Sequence, residues 1–259
     1  MPDHPEYHQH LRPFVDETLT SKTLYFSECD IQSRMQIGRP DLLSLSYTRL
    51  MMGFLLLVPR PRSIAMVGLG GGSLAKFCYR YLPRSRIEVV EINPHVIALR
   101  DKFEVPKDDH RFHVHEADAA DFVRTAPCRY DVILVDGFDG DGLPACLASR
   151  TFYDNCFDLL EPHGVLVANF HSHHQNSPAC MDRMKRSFEG RMLTAINDRE
   201  RSNTIAFACR DRLAGTPLHG PLHCPPHLAP EAWAQLAPSL SRVKEAARRQ
   251  YREALQQPV

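Results

Sequence analysis

The sequence predicts an α/β domain built around one mostly parallel β-sheet. From residue 62 onward, strand-like apolar runs alternate with helix-like stretches, which is the pattern of βαβ units. A glycine-rich turn, VGLGGGSLA, joins the first of these runs to the helix that follows it. The last two runs are joined by only DRERS, which is too short for a crossover helix. We therefore expect a parallel sheet that ends in an antiparallel pair.

Length and composition are those of an ordinary globular protein. The chain has 259 residues, of which 43% are hydrophobic and 24% are charged, enough for one large domain and a small extension. We expect an N-terminal β-hairpin and helix region at 1–60 and the α/β domain at 61–212. A proline-rich linker and a C-terminal helix are expected at 213–259.

The two flanking regions carry weaker patterns. Residues 1–20 are expected to be a polar lead-in, and the alternating stretch 24–37 predicts a β-hairpin. Asp41 is expected to cap a helix over 42–57, whose apolar second half suits burial. The charged stretch 241–257 predicts a helix that is solvated or in contact with another subunit.

Within the α/β domain, the apolar runs and the turn-forming residues between them predict the strands and helices. Strands are predicted over 63–69, 87–92, 112–117, 130–136, 164–170, 192–198 and 203–210. Helices are predicted over 70–82, 93–103, 120–126, 149–160 and 179–190.

Charge, hydropathy and cysteine usage exclude several classes of protein. Lys+Arg and Asp+Glu both number 31, and this balance argues against non-specific nucleic-acid binding. No apolar run is long enough to span a bilayer, and the first residues lack the features of a signal peptide. The eight cysteines form no CxxC pair. We expect a cytoplasmic protein without a metal, a membrane partner or a nucleic-acid partner.

The glycine turn is the first candidate binding site. Gly68, Gly70 and Gly72 lie between a strand and a helix, where a tight turn and close approach to a ligand require backbone without Cβ. Glu91 ends the next strand, 19 positions after Gly72, and a carboxylate there can accept hydrogen bonds from both ribose hydroxyls of an adenosine. This combination predicts an adenosine-containing cofactor, and the alternative is a tight turn with no ligand.

Two further details concern that cofactor. A dinucleotide-binding turn has a third glycine where Ser73 stands, which argues against NAD. Asp118 follows the third strand of the domain, where it can lie near an adenine amino group or cap a helix. Both alternatives stay open for Asp118.

An acidic loop follows the strand over 130–136. Ligands of open α/β sheets bind outside the carboxyl ends of the strands, so Asp136 is expected to point into the binding crevice. Two carboxylates, Asp136 and Asp139, can hold an amine and take its proton before it attacks carbon beside a sulfonium. Asp141 is interpreted as a turn residue of this glycine-rich loop.

These motifs resemble the spermidine synthase (polyamine aminopropyltransferase) family over about residues 20–210. The resemblance lies in GLGGGSLAKF, in VVEINP, in EADAADF and in the acidic loop. It implies a Rossmann-like AdoMet-dependent transferase fold with a seven-stranded sheet, a small N-terminal β-domain and a homodimer. It also implies transfer of an aminopropyl group from decarboxylated S-adenosylmethionine (AdoMet) to an amine, with release of methylthioadenosine.

The resemblance assigns roles to residues of this sequence. Asp136 is the implied base with Asp139 as its partner, and Tyr47 belongs to the amine pocket. The implied cofactor-binding residues are Gln32, Gly68, Gly70, Gly72, Glu91 and Asp118.

The sequence departs from the family at the amine-binding half. Gly71 stands where the family has an Asp that binds the donor's ammonium, and Thr48-Arg49 replaces Gln-Glu. Residues 196–204 replace the segment near the far amine site. Gly71 neither attracts an ammonium nor repels a carboxylate, so the expected donor is decarboxylated AdoMet or AdoMet; Arg49, if it faces the pocket, would tilt the preference further towards a carboxylate. The alternatives are an AdoMet-dependent methyltransferase on the same scaffold and a non-catalytic adenosine-ligand binding protein.

Overall fold

The computed structural model describes residues 10–27, 30–137, 143–172, 174–196, 202–211 and 220–256. The strands are β1 (Phe14–Glu17), β2 (Ser21–Ser27), β3 (Asp30–Gln36), β4 (Ser63–Val67), β5 (Arg86–Glu91), β6 (Phe112–Glu116), β7 (Tyr130–Val135), β8 (Leu160–His171), β9 (Met192–Ile196) and β10 (Asn203–Cys209). The helices are α1 (Ser46–Met51), a 3-10 helix (Met52–Leu56), α2 (Ser73–Tyr81), α3 (Pro94–Ile97), α4 (Ala119–Thr125), α5 (Arg150–Leu159), α6 (Ser177–Ser187) and α7 (Pro230–Gln256).

The central sheet has seven strands in the order β6-β5-β4-β7-β8-β10-β9. The five strands from β6 to β8 in this order run parallel, and β10 is antiparallel to both β8 and β9. The prediction of a parallel sheet with an antiparallel end is confirmed. Because the strand order reverses at β4, a crevice opens outside its carboxyl end, between the neighbours β5 and β7.

Both faces of the sheet are covered by helices, as the continuous apolar strands require. Alternate residues of β4 enter different cores, with Ile64 and Met66 on one face and Ala65 and Val67 on the other. Helices α2 and α7 pack on the first face, and α4, α5 and α6 pack on the second.

The N-terminal region contains the predicted hairpin, formed by β2 and β3, and one more strand. Strand β1 pairs antiparallel with β2 and makes a three-stranded sheet. The expectation of a polar lead-in was therefore wrong for Phe14–Glu17. Phe14 stacks on Tyr25 with ring centroids 5.2 Å apart, a cross-strand contact that supports the added strand.

The predicted helix over 42–57 is wrong in its start and its regularity. Helix α1 begins only at Ser46, and the chain continues as the 3-10 helix from Met52. Asp41 does not cap it, because its two carboxylate oxygens accept hydrogen bonds from Arg80 (3.1 Å) and Tyr81 (2.6 Å) instead. Helix α3 is likewise shorter than the predicted helix over 93–103.

The C-terminal helix α7 begins at Pro230, eleven residues before the predicted start at residue 241. Proline suits the first turn of a helix, where its missing N–H would have no intrahelical partner. The inner face of α7 is an apolar stripe at helical spacing, which the sequence interpretation missed, and it is buried in the first core. Its buried residues are Ala232, Leu236, Leu240 and Val243. The helix therefore packs on its own chain.

The division of the chain at 60/61 and 212/213 stays a prediction. The first core joins residues from all three expected regions, for example Leu50, Phe77 and Leu236. Among the described helices, none has both the length and the apolar character that crossing a bilayer requires.

The turn after β4 brings backbone directly against backbone. Gly68 has φ +91°, and a Cβ on it would overlap the carbonyl oxygen of Asp136. Gly72 has φ +68°, and a Cβ there would lie 2.5 Å from Cγ2 of Val105. Glycine is therefore needed at both positions for the conformation and for the space.

We expect Gly68→Ala to destabilise the protein more than Gly190→Ala. Gly190 has a similar positive φ of +79° but nothing within 4 Å of a Cβ, so it carries only the conformational cost of about 1–2 kcal/mol. Gly68→Ala adds overpacking, roughly 1–3 kcal/mol more. Chemical denaturation of both variants measures the difference. Equal losses in the free energy of unfolding would contradict the close approach of Gly68 to Asp136.

Candidate active site

A cleft of about 1300 Å³ lies outside the carboxyl ends of β4, β5, β7 and β8. Its lining includes the predicted site residues Gln32, Tyr47, Gly68, Gly70, Glu91, Asp118 and Asp136. Gly72 lies behind the cleft against Val105. Asp139 and Asp141 lie outside the described residues, and so does part of the segment 196–204. The individual roles of all these residues stay predictions.

Glu91 is fixed beside the glycine turn by two backbone amides. Its Oε2 accepts a hydrogen bond from the Leu69 N–H (2.9 Å), and its Oε1 accepts one from the Asn93 N–H (2.9 Å). Burial raises the pKa of the Glu91 carboxyl group, although these amide bonds partly offset the rise. The amides of Ile92 and Gly70 act on the carboxylate in the same direction, and Glu91 lines the cleft in which a ribose would lie.

Asp118 takes one of the two roles considered for it, the helix cap, and its position leaves the other open. Its Oδ1 accepts hydrogen bonds from the N–H groups of Ala120 (2.6 Å) and Asp121 (3.3 Å), so Asp118 is the N-cap of α4. The residue also lines the cleft. Contact with an adenine amino group stays a prediction for its Oδ2.

Asp136 follows the last residue of β7 and is held by two donors. The Tyr47 hydroxyl donates to its Oδ2 (3.0 Å), and the Asn169 side-chain amide donates to its Oδ1 (2.9 Å). Desolvation raises the pKa of Asp136, while these hydrogen bonds and the nearby His171 act in the opposite direction. A carboxylate that is oriented in this way and more basic than usual is suited to accept a proton.

The sequence interpretation missed the buried amides behind Asp136. The Asn203 side-chain amide donates to Oδ1 of Asn169 (3.0 Å), and the Ser202 hydroxyl donates to Oδ1 of Asn203 (3.0 Å). This series of hydrogen bonds fixes which end of the Asn169 amide faces the Asp136 carboxylate. The available signal was Asn169 itself, a polar residue inside the apolar run of β8, because buried polar groups require partners.

Gly71 is closely packed by two side chains. A Cβ on Gly71 would lie 2.7 Å from Oγ of Ser33 and 2.8 Å from Cδ1 of Phe103. Neither neighbour leaves space for a side chain at this position. Arg49 does not line the cleft: it donates to the Leu43 carbonyl and borders a smaller hollow of about 430 Å³.

The histidines do not form a metal centre in the described part of the chain. Within the described ranges, no three His, Cys, Asp or Glu side chains are arranged to hold a metal ion. His171 and His174 line the cleft, and His227 instead contacts the carbonyl of Pro59 (2.8 Å).

The sequence is similar to that of known transferases. A family model described as spermine/spermidine synthase domain matches residues 44–193. A polyamine aminopropyltransferase from Chromobacterium violaceum is 40% identical over 180 residues, which cover 69% of each chain. An eEF1A lysine and N-terminal methyltransferase from Xenopus laevis is 32% identical over 144 residues, covering 49% of this chain and 21% of that one.

Among solved structures, a probable spermidine synthase from Corynebacterium glutamicum superimposes with a TM-score of 0.68. It is 21% identical, and the match covers 78% of this chain and 77% of that one. The predicted Rossmann-like fold, with its seven-stranded sheet and small N-terminal β-region, is confirmed.

We expect Glu91→Ala to weaken binding of adenosine ligands. Removing the acceptor leaves buried hydroxyl groups unpaired at a cost of about 1–3 kcal/mol, which is roughly fivefold to 150-fold in affinity. Glu116→Ala is the matched control, because Glu116 is the register partner of Glu91 on β6, is exposed and does not line the cleft. Calorimetry with methylthioadenosine that gives equal affinities for both variants would remove Glu91 from the site.

Proposed function

The chain belongs to the spermine/spermidine synthase family, and from this premise we propose that it transfers an aminopropyl group from decarboxylated AdoMet to an amine acceptor. The observation that carries the proposal is the position of Asp136, held between Tyr47 and Asn169 at the edge of the cleft. The glycine turn and Glu91 lie in the same cleft. A base and an adenosine site therefore share one crevice.

In this proposal the donor lies with its adenosine against the glycine turn. Glu91 accepts the ribose hydroxyls, and Asp118 receives the adenine amino group. Gln32 contacts the donor from β3. Since these groups come from different elements of a rigid sheet, they fix the sulfonium relative to Asp136 before reaction.

Asp136 then prepares the nucleophile. An amine arrives largely as its ammonium, which has no electron pair to donate, so Asp136 takes a proton from it. The free amine attacks the methylene carbon beside the sulfonium, the carbon–sulfur bond breaks, and methylthioadenosine leaves with the electron pair. Tyr47 and Asn169 hold the carboxylate in line, and Asp139 is its proposed partner. No step requires a metal.

We further propose that the acceptor is a small-molecule amine and that the protein acts as a cytoplasmic homodimer without a nucleic-acid or membrane partner. The equal numbers of acidic and basic residues support the absence of nucleic acid. Light scattering of the purified protein tests the dimer.

Methyl transfer from AdoMet is the second candidate. Gly71 favours it, because this position, packed against Ser33 and Phe103, offers no acid to bind the ammonium of a decarboxylated arm. The products distinguish the candidates: aminopropyl transfer releases methylthioadenosine, and methyl transfer releases S-adenosylhomocysteine. Mass spectrometry of reactions with each donor and a panel of amines decides between them, and the absence of turnover with every pair would favour a non-catalytic binding protein.

We expect Asp136→Asn to lower turnover about a hundredfold or more while donor binding survives, because an amide keeps the shape but cannot take the proton. Asp131→Asn is the matched control, since Asp131 lies at the other end of β7 and accepts from the N–H groups of Arg62 and Ser63. Steady-state rates and calorimetry are compared for both variants. Near-normal turnover of Asp136→Asn would exclude this residue as the base.

The pH dependence of turnover should follow Asp136. Because its pKa is raised, the rate should begin to fall at a higher pH than for an ordinary aspartate as the solution is acidified. A raised folded-state pKa contributes stability that is fully present below the ordinary value and is lost as the pH rises through the raised one. Asp136→Asn should therefore be at least as stable as the parent at neutral pH. A rate profile and denaturation curves at matched pH test both statements.

A further inference from the structure

We propose that intact AdoMet, with its carboxylate, is a second donor, and that the protein transfers the whole amino-carboxypropyl arm to the amine. The binding group is Arg34, a half-buried residue on the strand that lies against the glycine turn, which lines both the cleft and the smaller hollow beside Arg49. The inference rests on the proposed function, because it uses the same base, the same acceptor and the same leaving group.

Arg34 lies on β3, beside the glycine turn. Strand β3 meets the glycine turn through Ser33, whose Oγ lies 3.3 Å from Oγ of Ser73 and covers the Cβ position of Gly71. Arg34 is the next residue, so its Cα lies about 3.8 Å from that of Ser33. The pairing of β3 with β2 is irregular at Gln32, and both Gln32 and Arg34 line the cleft.

The guanidinium of Arg34 is permanently charged. Its Nε donates to Oγ1 of Thr23 over 3.4 Å, and Arg34 forms no ion pair with any residue that the structure describes. The terminal nitrogens of the guanidinium therefore keep donors for a ligand. A guanidinium binds a carboxylate through two parallel N–H bonds, and this fit makes arginine the usual partner of carboxylates.

The described acids of the cleft accept hydrogen bonds from groups other than Arg34. Among the described lining residues the carboxylates are Glu91, Asp118 and Asp136, and each is already hydrogen-bonded elsewhere. None of them pairs with Arg34. Gly71, covered by Ser33, has no room for an acid that would attract an ammonium and repel a carboxylate. The described surroundings of this part of the turn therefore favour an arm that carries a carboxylate.

The reaction balances without another reagent. The amine nitrogen attacks the methylene carbon that joins the amino-carboxypropyl arm to sulfur, and a carbon–nitrogen bond forms. The carbon–sulfur bond breaks, and methylthioadenosine leaves with its electron pair. The proton from the nitrogen goes to Asp136, and the product is the amine bearing an amino acid group.

The experiment compares two donors and two variants. Purified protein is incubated with a panel of amines that includes putrescine and with either AdoMet or decarboxylated AdoMet, and products are identified by mass spectrometry. Donor affinity is measured separately by calorimetry without an acceptor. The variants are Arg34→Gln and the matched control Arg39→Gln, since Arg39 belongs to the same N-terminal region, is exposed and does not line the cleft.

We expect AdoMet to yield methylthioadenosine and an amine product that retains the carboxylate. Arg34→Gln should weaken AdoMet binding on the order of tenfold to a hundredfold, as expected for loss of a charged hydrogen-bond pair, without weakening binding of decarboxylated AdoMet. Arg39→Gln should change neither affinity.

Three results would overturn the inference. They are S-adenosylhomocysteine as the product from AdoMet, turnover with decarboxylated AdoMet only, and AdoMet binding that does not depend on Arg34. The second result leaves aminopropyl transfer standing. Failure of both donors to give methylthioadenosine would instead remove the proposed function, and this inference with it.

Discussion

The close approach of Gly68 to Asp136 is the constraint on which the site depends. The Gly68 N–H donates to the carbonyl of Val90 (2.9 Å), and the Asp136 N–H donates to the carbonyl of Val67 (2.9 Å). These two bonds join the ends of β5, β4 and β7 at one point. Glu91 directly follows Val90, so the adenosine-side carboxylate and the base are fixed on either side of the same turn. A side chain at residue 68 would separate them.

The hydrogen-bonded amides explain how the sheet tolerates a buried carboxylate. Asp136 loses hydration at the edge of the cleft, and Asn169 returns a hydrogen bond to it from within β8. Asn169 is itself buried and has its orientation fixed by Asn203 from the neighbouring β10. The antiparallel end of the sheet thus helps to orient the base, because the pairing of β10 with β8 brings Asn203 next to Asn169.

Local patterns in the sequence were enough to predict the βαβ order, the glycine turn and the placement of Glu91 and Asp136. These features depend on residues close together along the chain and on the rule that ligands bind at strand ends. Features set by distant contacts were not predictable in this way. Asp41 accepts a hydrogen bond from Tyr81 instead of capping a helix. Asn203 reaches Asn169 only because β10 pairs with β8. Asp139 stays a prediction.

Helix α7 has a consequence for the way the protein is made on the ribosome. The Gln235 side chain accepts a hydrogen bond from the Leu43 N–H across 192 positions, and α7 packs against α1, which carries Tyr47. During synthesis, the apolar surface of α1 and the 3-10 helix therefore stays uncovered until α7 has emerged from the ribosome. Nascent chains that lack α7 therefore leave this part of the first core unfilled.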